Sequence, residues 1–438
     1  MNRPVDYKEI WKQRLKAHVQ PDQQIRPDSP EDNVKFLTNA IGEETGFVAT
    51  FSGRNLAIHD VRRGQLKYRT SFKENHTIVD VDFLQLTNGR FACVAAVNSS
   101  AQSFVALLID SSNNGTIELS IARCISIPSQ KMTCLKVVLS ESDEVYLARC
   151  NPRVQAMHNI IAVGTARPNC FIFGLGKINL ADLEMGQSSS TLPELETVKL
   201  VDGLRSNIED EKFMLLTRYT DDDTALRISV EKAAVTCIGF FVRSSALVIG
   251  LQFGGLHIIH LRGEMNLYSF DCGLAHPIRA LVNCEPDDDP RKHEHMMVMS
   301  WSEKGIMSTV LLEALPTVSV DADDQQPQDG NNENIFLNAI YKSRAEHVKR
   351  FVCARAIVHR RSDEDIQPQQ SSVQRTEPEL RYSRALVYFA YIGVDNNETQ
   401  FMMGIFDLNM YFFKRLPHSI TVDLTPAKQC PFLAHIYG

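Results

Sequence analysis

Tryptophan is nearly missing from this chain: Trp11 and Trp301 are the only two in 438 residues. No stretch reaches the roughly 20 apolar residues that span a bilayer, and so no transmembrane segment is expected. The first twenty residues carry Asp6, Lys8, Glu9, Lys12, Arg14 and Lys16, which rules out the apolar core of a signal peptide. A basic excess is also lacking. With 46 Lys and Arg against 53 Asp and Glu, the net charge is −7. Dedicated nucleic-acid binders draw their affinity from cations set on phosphates, so the balance argues against that class. The ten cysteines form no C-x-x-C pair. Several lie inside apolar runs, as in Phe91-Ala92-Cys93-Val94 and Val235-Thr236-Cys237-Ile238, the setting of small buried thiols in reduced strands.

What is present is the composition of a folded globular protein, 44% hydrophobic and 23% charged. Near the start, Tyr7, Trp11, Leu15 and Val19 recur every four positions and predict one face of a short helix. Pro21, Pro27 and Pro30 then lead into an extended linker. The expected division is a helical extension over 1–34 and a β-propeller over 35–438.

From about Gly46 the pattern becomes short strands. Phe47 to Phe51 is apolar, Asn55 to Val61 alternates, Arg63-Gly64 is a turn signal, and Gln65 to Phe72 alternates again. An internal repeat narrows the architecture. Leu56 to Gly64, Leu256 to Gly263 and Gly404 to Asn409 each read as an apolar strand, a late polar break and a turn. Weaker copies run over Phe104 to Asp110 and Cys170 to Gly176. Some repeats are expected to open with an apolar-small-apolar-Gly strand, as in Ala246 to Gly250 and Ile160 to Gly164. A spacing of roughly 40 to 60 residues fits the blades of a propeller better than a sandwich. One blade alone cannot bury both its faces; a ring of blades can. The Gly-His and Trp-Asp dipeptides of WD40 blades are absent, so the expected fold is all-β, a degenerate, non-WD40 propeller.

Three polar stretches, Glu184 to Asp210, Asp321 to Glu333 and Arg361 to Glu379, are expected to be surface loops. Ile335 to Phe351 places Phe336, Ala339, Ile340 and Val348 on roughly one side and predicts a helical insertion.

Chemistry-bearing motifs are few. His293-Glu294-His295 puts two imidazoles on one side of a strand, but no third ligand is legible, and the charged run before it, Asp287 to Lys292, reads as an exposed loop. His257 and His260, three apart in a strand, point to opposite faces and read as core or rim residues. Gly174-Leu175-Gly176-Lys177 is too short for a phosphate loop, Gly254-Gly255 reads as a hairpin turn, and Asp221-Asp222-Asp223 lacks the alternation of a calcium loop. No nucleophile elbow occurs. The expectation is therefore no enzyme, no catalytic residue, no cofactor and no metal.

The run Leu281 to Arg291, with its Glu-Pro-acidic-Asp-Pro-Arg core, resembles a segment of the N-terminal propeller of the ELYS nucleoporin family. Thr236 to Leu261 resembles the blade before it, Gly53 to Phe72 the first blade, and Ile405 to His418 a segment near the last. These matches keep their order and cover most of residues 45 to 435. The resemblance implies a seven-bladed ring and a scaffold role in nuclear pore assembly, in the nucleus at the nuclear envelope. It implies partners in the Y-shaped scaffold subcomplex of the pore, with chromatin or nucleosomes as further candidates. The family's helical solenoid and AT-hook tail have no counterpart here, so AT-hook binding does not carry over. Glu285, Asp287, Asp288, Asp289 and Arg291 are the candidate partner-binding residues. Other readings of the same propeller are an adaptor in membrane-coat trafficking and a propeller hydrolase.

Overall fold

The computed structural model describes residues 33–407 apart from internal stretches, the longest being 179–194, 202–215, 284–293, 317–334 and 360–383. The helix expected around Tyr7 to Val19 lies outside the described residues. These residues fall into two compact units, one up to Arg279 and one from Ala280.

The first unit opens with four strands joined in sequence order into one antiparallel sheet: β1 (Asn33–Thr38), β2 (Glu44–Ser52), β3 (Asn55–Asp60) and β4 (Gln65–Ser71). The second sheet repeats the meander with β5 (His76–Gln85), β6 (Phe91–Ser99), β7 (Phe104–Asp110) and β8 (Leu119–Ser126). The third starts with β9 (Met132–Leu139), passes through two short helices, α1 (Glu144–Leu147) and α2 (Pro152–Met157), and continues with β10 (Ile160–Thr165) and β11 (Asn169–Gly174). The chain then sends β12 (Leu195–Thr197) onto the outer edge of β8, in parallel. It adds β13 (Leu200–Val201), β14 (Leu216–Thr220) and β15 (Ala225–Ser229) outside β11. A fourth meander follows: β16 (Val235–Phe241), β17 (Ala246–Leu251), β18 (Leu256–His260) and β19 (Leu267–Phe270).

Burial explains why these strands read as apolar runs rather than clean alternations. On β6, Cys93, Ala95 and Val97 pack into the core against the first sheet, while Ala92, Val94 and Ala96 pack into the core against the third. On β10, Ile161 and Val163 face the second sheet, and Ile160 and Ala162 face the fourth. Each inner sheet is covered on both faces, so both sets of alternate positions must be apolar. The first strands β1, β5, β9 and β16 lie side by side. Successive meanders stacked face to face, first strands together, are the packing of propeller blades. Every repeat unit seen in the sequence is the third strand of its sheet: β3, β7, β11 and β18 in this unit. The strands expected to open repeats, Ala246 to Gly250 and Ile160 to Gly164, are instead the second strands β17 and β10.

The second unit starts within β20 (Ile278–Asn283), which heads a sheet with β21 (Glu294–Ser302), β22 (Ile306–Pro316) and β23 (Ile335–Ala345). A three-stranded sheet follows, of β24 (Val348–His359), β25 (Arg384–Asp395) and β26 (Glu398–Asp407). Of the remaining repeat, Gly404 to Asn409, the described part up to Asp407 falls on the third strand, β26.

Ile335 to Phe351 is not helical. It forms β23 and the start of β24, with β23 paired to Met307–Pro316 of β22. Ile340 is the extra residue of a register shift opposite Leu311 and Leu312. A helix there would leave the backbone groups of β22 without this ladder. The helical insertion lies instead at α1 and α2. The stretch Glu184 to Asp210, expected to be loop, contains β12 and β13. The expected loops Asp321 to Glu333 and Arg361 to Glu379 lie outside the described residues. Among the described residues, no helix is long and apolar enough to cross a membrane. Cys93, Cys124, Cys134, Cys150 and Cys170 are buried free thiols and Cys237 is half-buried, as the sequence predicts.

Candidate functional site: a charge cluster on the inner strands

Among the described residues of the first unit, a cluster of charge sits on the first strands of three successive sheets. Lys35 comes from β1, Asp80 and Asp82 from β5, and Lys136 from β9. Two aspartates at i and i+2 in a strand point to one face, here toward β9. That strand is an edge of its sheet, so its outward N–H groups have no ladder partner. The carboxylates supply one. Leu135 N donates to Asp80 Oδ2 at 2.8 Å and Val137 N to Asp82 Oδ2 at 2.8 Å. The two-residue repeat of one strand thus matches the two-residue repeat of the next.

Lysines neutralise the pair. Lys35 Nζ lies 2.9 Å from Asp80 Oδ1 and 4.0 Å from Asp82 Oδ1, and Lys136 Nζ is 3.2 Å from Asp82 Oδ2. Lys35 Nζ also donates to Leu135 O at 3.3 Å. Burial opposes the Lys35 charge, but Asp80, Asp82 and the hydrogen bond to Asp80 together outweigh it and raise its pKa above the ordinary lysine value. Farther round, Thr133 of β9 donates to Val235 O of β16 at 2.6 Å. Polar contacts therefore join the first strands of all four sheets. Asp80 Oδ1 accepts from Lys35 and from Val81 N, and Asp82 Oδ2 from Val137 N and Lys136. Oxygens so engaged clamp strands together.

The second ordered feature is the α1–α2 insertion. Asn151 caps α2, its side chain accepting from Arg153 N, and Pro152 fills the first turn, where its missing N–H costs nothing. Asn159, buried and with φ of +42°, accepts from Glu141 N at 2.8 Å and donates to Gly176 O at 2.8 Å. Asn151 N reaches Leu261 O beyond β18 at 2.6 Å, and Thr87 Oγ1 donates to Glu141 at 3.3 Å. The insertion is thereby fastened to the second, third and fourth sheets.

The residues singled out from the sequence are placed as follows. Glu285, Asp287, Asp288, Asp289 and Arg291 lie outside the described residues, as do His293 and Asp221 to Asp223. Glu294 and His295 begin the strand β21 and are 1% and 0% exposed. Pairing with Ala314 and Glu313 draws both into the sheet. His257 and His260 are buried on β18. Gly254 makes the β17–β18 turn with φ of +89°, as expected of a hairpin glycine. Among the described residues, no group of three or more His, Cys, Asp or Glu side chains could hold a metal ion. Sequence reasoning passed over the Lys35–Asp80–Asp82–Lys136 cluster. Its signal was Asp80-Val81-Asp82 inside a β-rich run, a pairing of acids that a buried strand tolerates only with partners.

Across 429 residues, the chain is 23% identical to protein mel-28 of Caenorhabditis elegans, an ELYS homologue. The match takes in 92% of this chain. This chain is similar to the ELYS family. It spans 23% of the length of mel-28. No protein-family model matches it. Solved structures give distant likenesses. The β-propeller domain of Cps50 (Swd1) from Myceliophteria thermophila is 14% identical with a TM-score of 0.40, over 85% of this chain and 82% of that one. The WD40 domain of SCAP from fission yeast is 10% identical with a TM-score of 0.35, over 82% and 71%. The propeller reading of this ELYS-like chain rests on its own sheet order and doubly covered blades.

Proposed function

We propose that the chain is a non-enzymatic scaffold that joins proteins during nuclear pore assembly at the nuclear envelope. In this reading residues 35–438 complete a seven-bladed ring behind an extension over 1–34. Its partners belong to the Y-shaped scaffold subcomplex, with chromatin or nucleosomes as a second class. The observation that carries the reading is the match to mel-28 along 92% of the chain. The inner charge cluster is consistent with it, since its carboxylates are committed to holding strands. Candidate contacts with partners are Glu285, Asp287, Asp288, Asp289 and Arg291.

Proximity labelling in dividing cells tests the proposal. Pore scaffold proteins are the expected neighbours, and reversing Asp287, Asp288 and Asp289 to lysine weakens recruitment to the nuclear rim. A neighbour set dominated by vesicle-coat subunits overturns the pore assignment. Unchanged rim recruitment of the reversed variant overturns the assignment of that loop.

A further inference from the structure

The outer edges of the first three sheets are treated differently. On the second sheet the edge of β8 is covered by β12, and on the third the edge of β11 is covered by β15 and β14. On the first sheet, among the described residues, β4 has beyond it a single parallel bridge, Arg69 to Glu118. The exposed positions of β4 are Gln65, Leu66, Lys67, Arg69 and Ser71, while Tyr68 turns inward onto Phe91 at 4.8 Å. From Gln65 to Lys73 the chain carries Lys67, Arg69 and Lys73 and no acid, in a protein of net charge −7. Leu66, 42% exposed, is one of three large apolar side chains so exposed among the described residues.

We propose that the outer edge of β4 is a strand-addition site for an extended acidic segment of a partner protein. Edge strands expose unpaired backbone groups, and charged side chains keep like edges apart. A second copy of this edge is repelled by Lys67 and Arg69. A strand of opposite charge is not, and cross-strand pairs of opposite charge add to the backbone hydrogen bonds that hold such a peptide. Glu118 takes up one position of this edge, bridged in parallel to Arg69. The parallel addition of β12 to β8 shows the same type of edge filled by another segment.

The test uses the full chain and a fluorescent peptide of alternating glutamate and threonine, read by anisotropy. Expected is saturable binding that weakens on the order of tenfold in the double variant Lys67→Glu, Arg69→Glu, whose circular dichroism and melting match the parent because both side chains are exposed. The same peptide N-methylated at alternate amides should lose binding, since strand addition requires its N–H groups. Equal binding of the N-methylated peptide overturns the proposal, leaving charge attraction alone. So does binding of duplex DNA through Lys67 and Arg69 with no peptide binding, or no binding of either.

Discussion

Removing Asp82 should loosen the inner strands more than any other single change to the charge cluster. Its side chain is 2% exposed, accepts from Val137 N at 2.8 Å and sits 3.2 Å from Lys136 Nζ. Asp82→Ala strands the Val137 N–H, worth about 1–3 kcal/mol when buried, and takes away the nearest counterion of Lys136. Severing a fully buried pair costs about 3–5 kcal/mol. Lys136 retains 17% exposure and can turn toward water, and Lys35 keeps Asp80, so the ionic share falls well below that range. The expected total is about 3 kcal/mol. Asp82→Asn keeps an oxygen for Val137 N–H and loses only charge, for about 1–2 kcal/mol. Urea unfolding followed by circular dichroism reads both variants, and a slope of about 1–3 kcal/mol per molar moves the alanine midpoint by about 1 M or more. Hydrogen exchange of β9 peptides localises the effect, with Val137 losing protection in Asp82→Ala and keeping most of it in Asp82→Asn. The reasoning fails if the alanine variant loses less than about 0.5 kcal/mol, the scatter of ordinary surface substitutions, or if the two variants behave alike.

Stability should also fall in alkali. Burial pushes the Cys150 thiol up to about 11, and burial with the nearby Asp80 pushes Cys134 up to about 12. A raised folded value means that the native state holds its proton longer than the unfolded chain does. The contribution is therefore complete below the unfolded thiol value and declines above it, at about 1.4 kcal/mol per pH unit per thiol until the folded value is reached. Raised values for Tyr68 and Lys35 act in the same direction at higher pH. Urea midpoints should drop between about pH 9 and pH 11, less steeply in Cys150→Ala; a flat profile would contradict the burial of these thiols. Packing makes a third prediction. A Cβ at Gly174 would lie 1.9 Å from Met157 O at the end of α2, a backbone atom that cannot simply swing aside. Gly174→Ala should cost about 3 kcal/mol, seen as a lowered melting temperature, and an unchanged melt would mean that α2 does not hold its place against β11.

Leu56 to Gly64 and Leu256 to Gly263 disclosed the blades in the sequence because each third strand has the same duty: apolar along its length, then a polar turn. Local chemistry was enough for that, as it was for the Gly254 hairpin and the thiols set in apolar runs. Other features depend on partners far along the chain. Asp80 and Asp82 look like surface acids until β9, about 55 residues on, presents two N–H groups at matching spacing. Ile335 to Phe351 looks helical until β22 offers β23 a ladder and a register shift absorbs Ile340. By itself the sequence determined a repeated, doubly buried all-β architecture, since periodicity and apolar content are local quantities. Only the tertiary structure decided which charges are buried, which edges are covered and which stripe is a strand, because a charge or an edge is stabilised by whatever the fold places beside it.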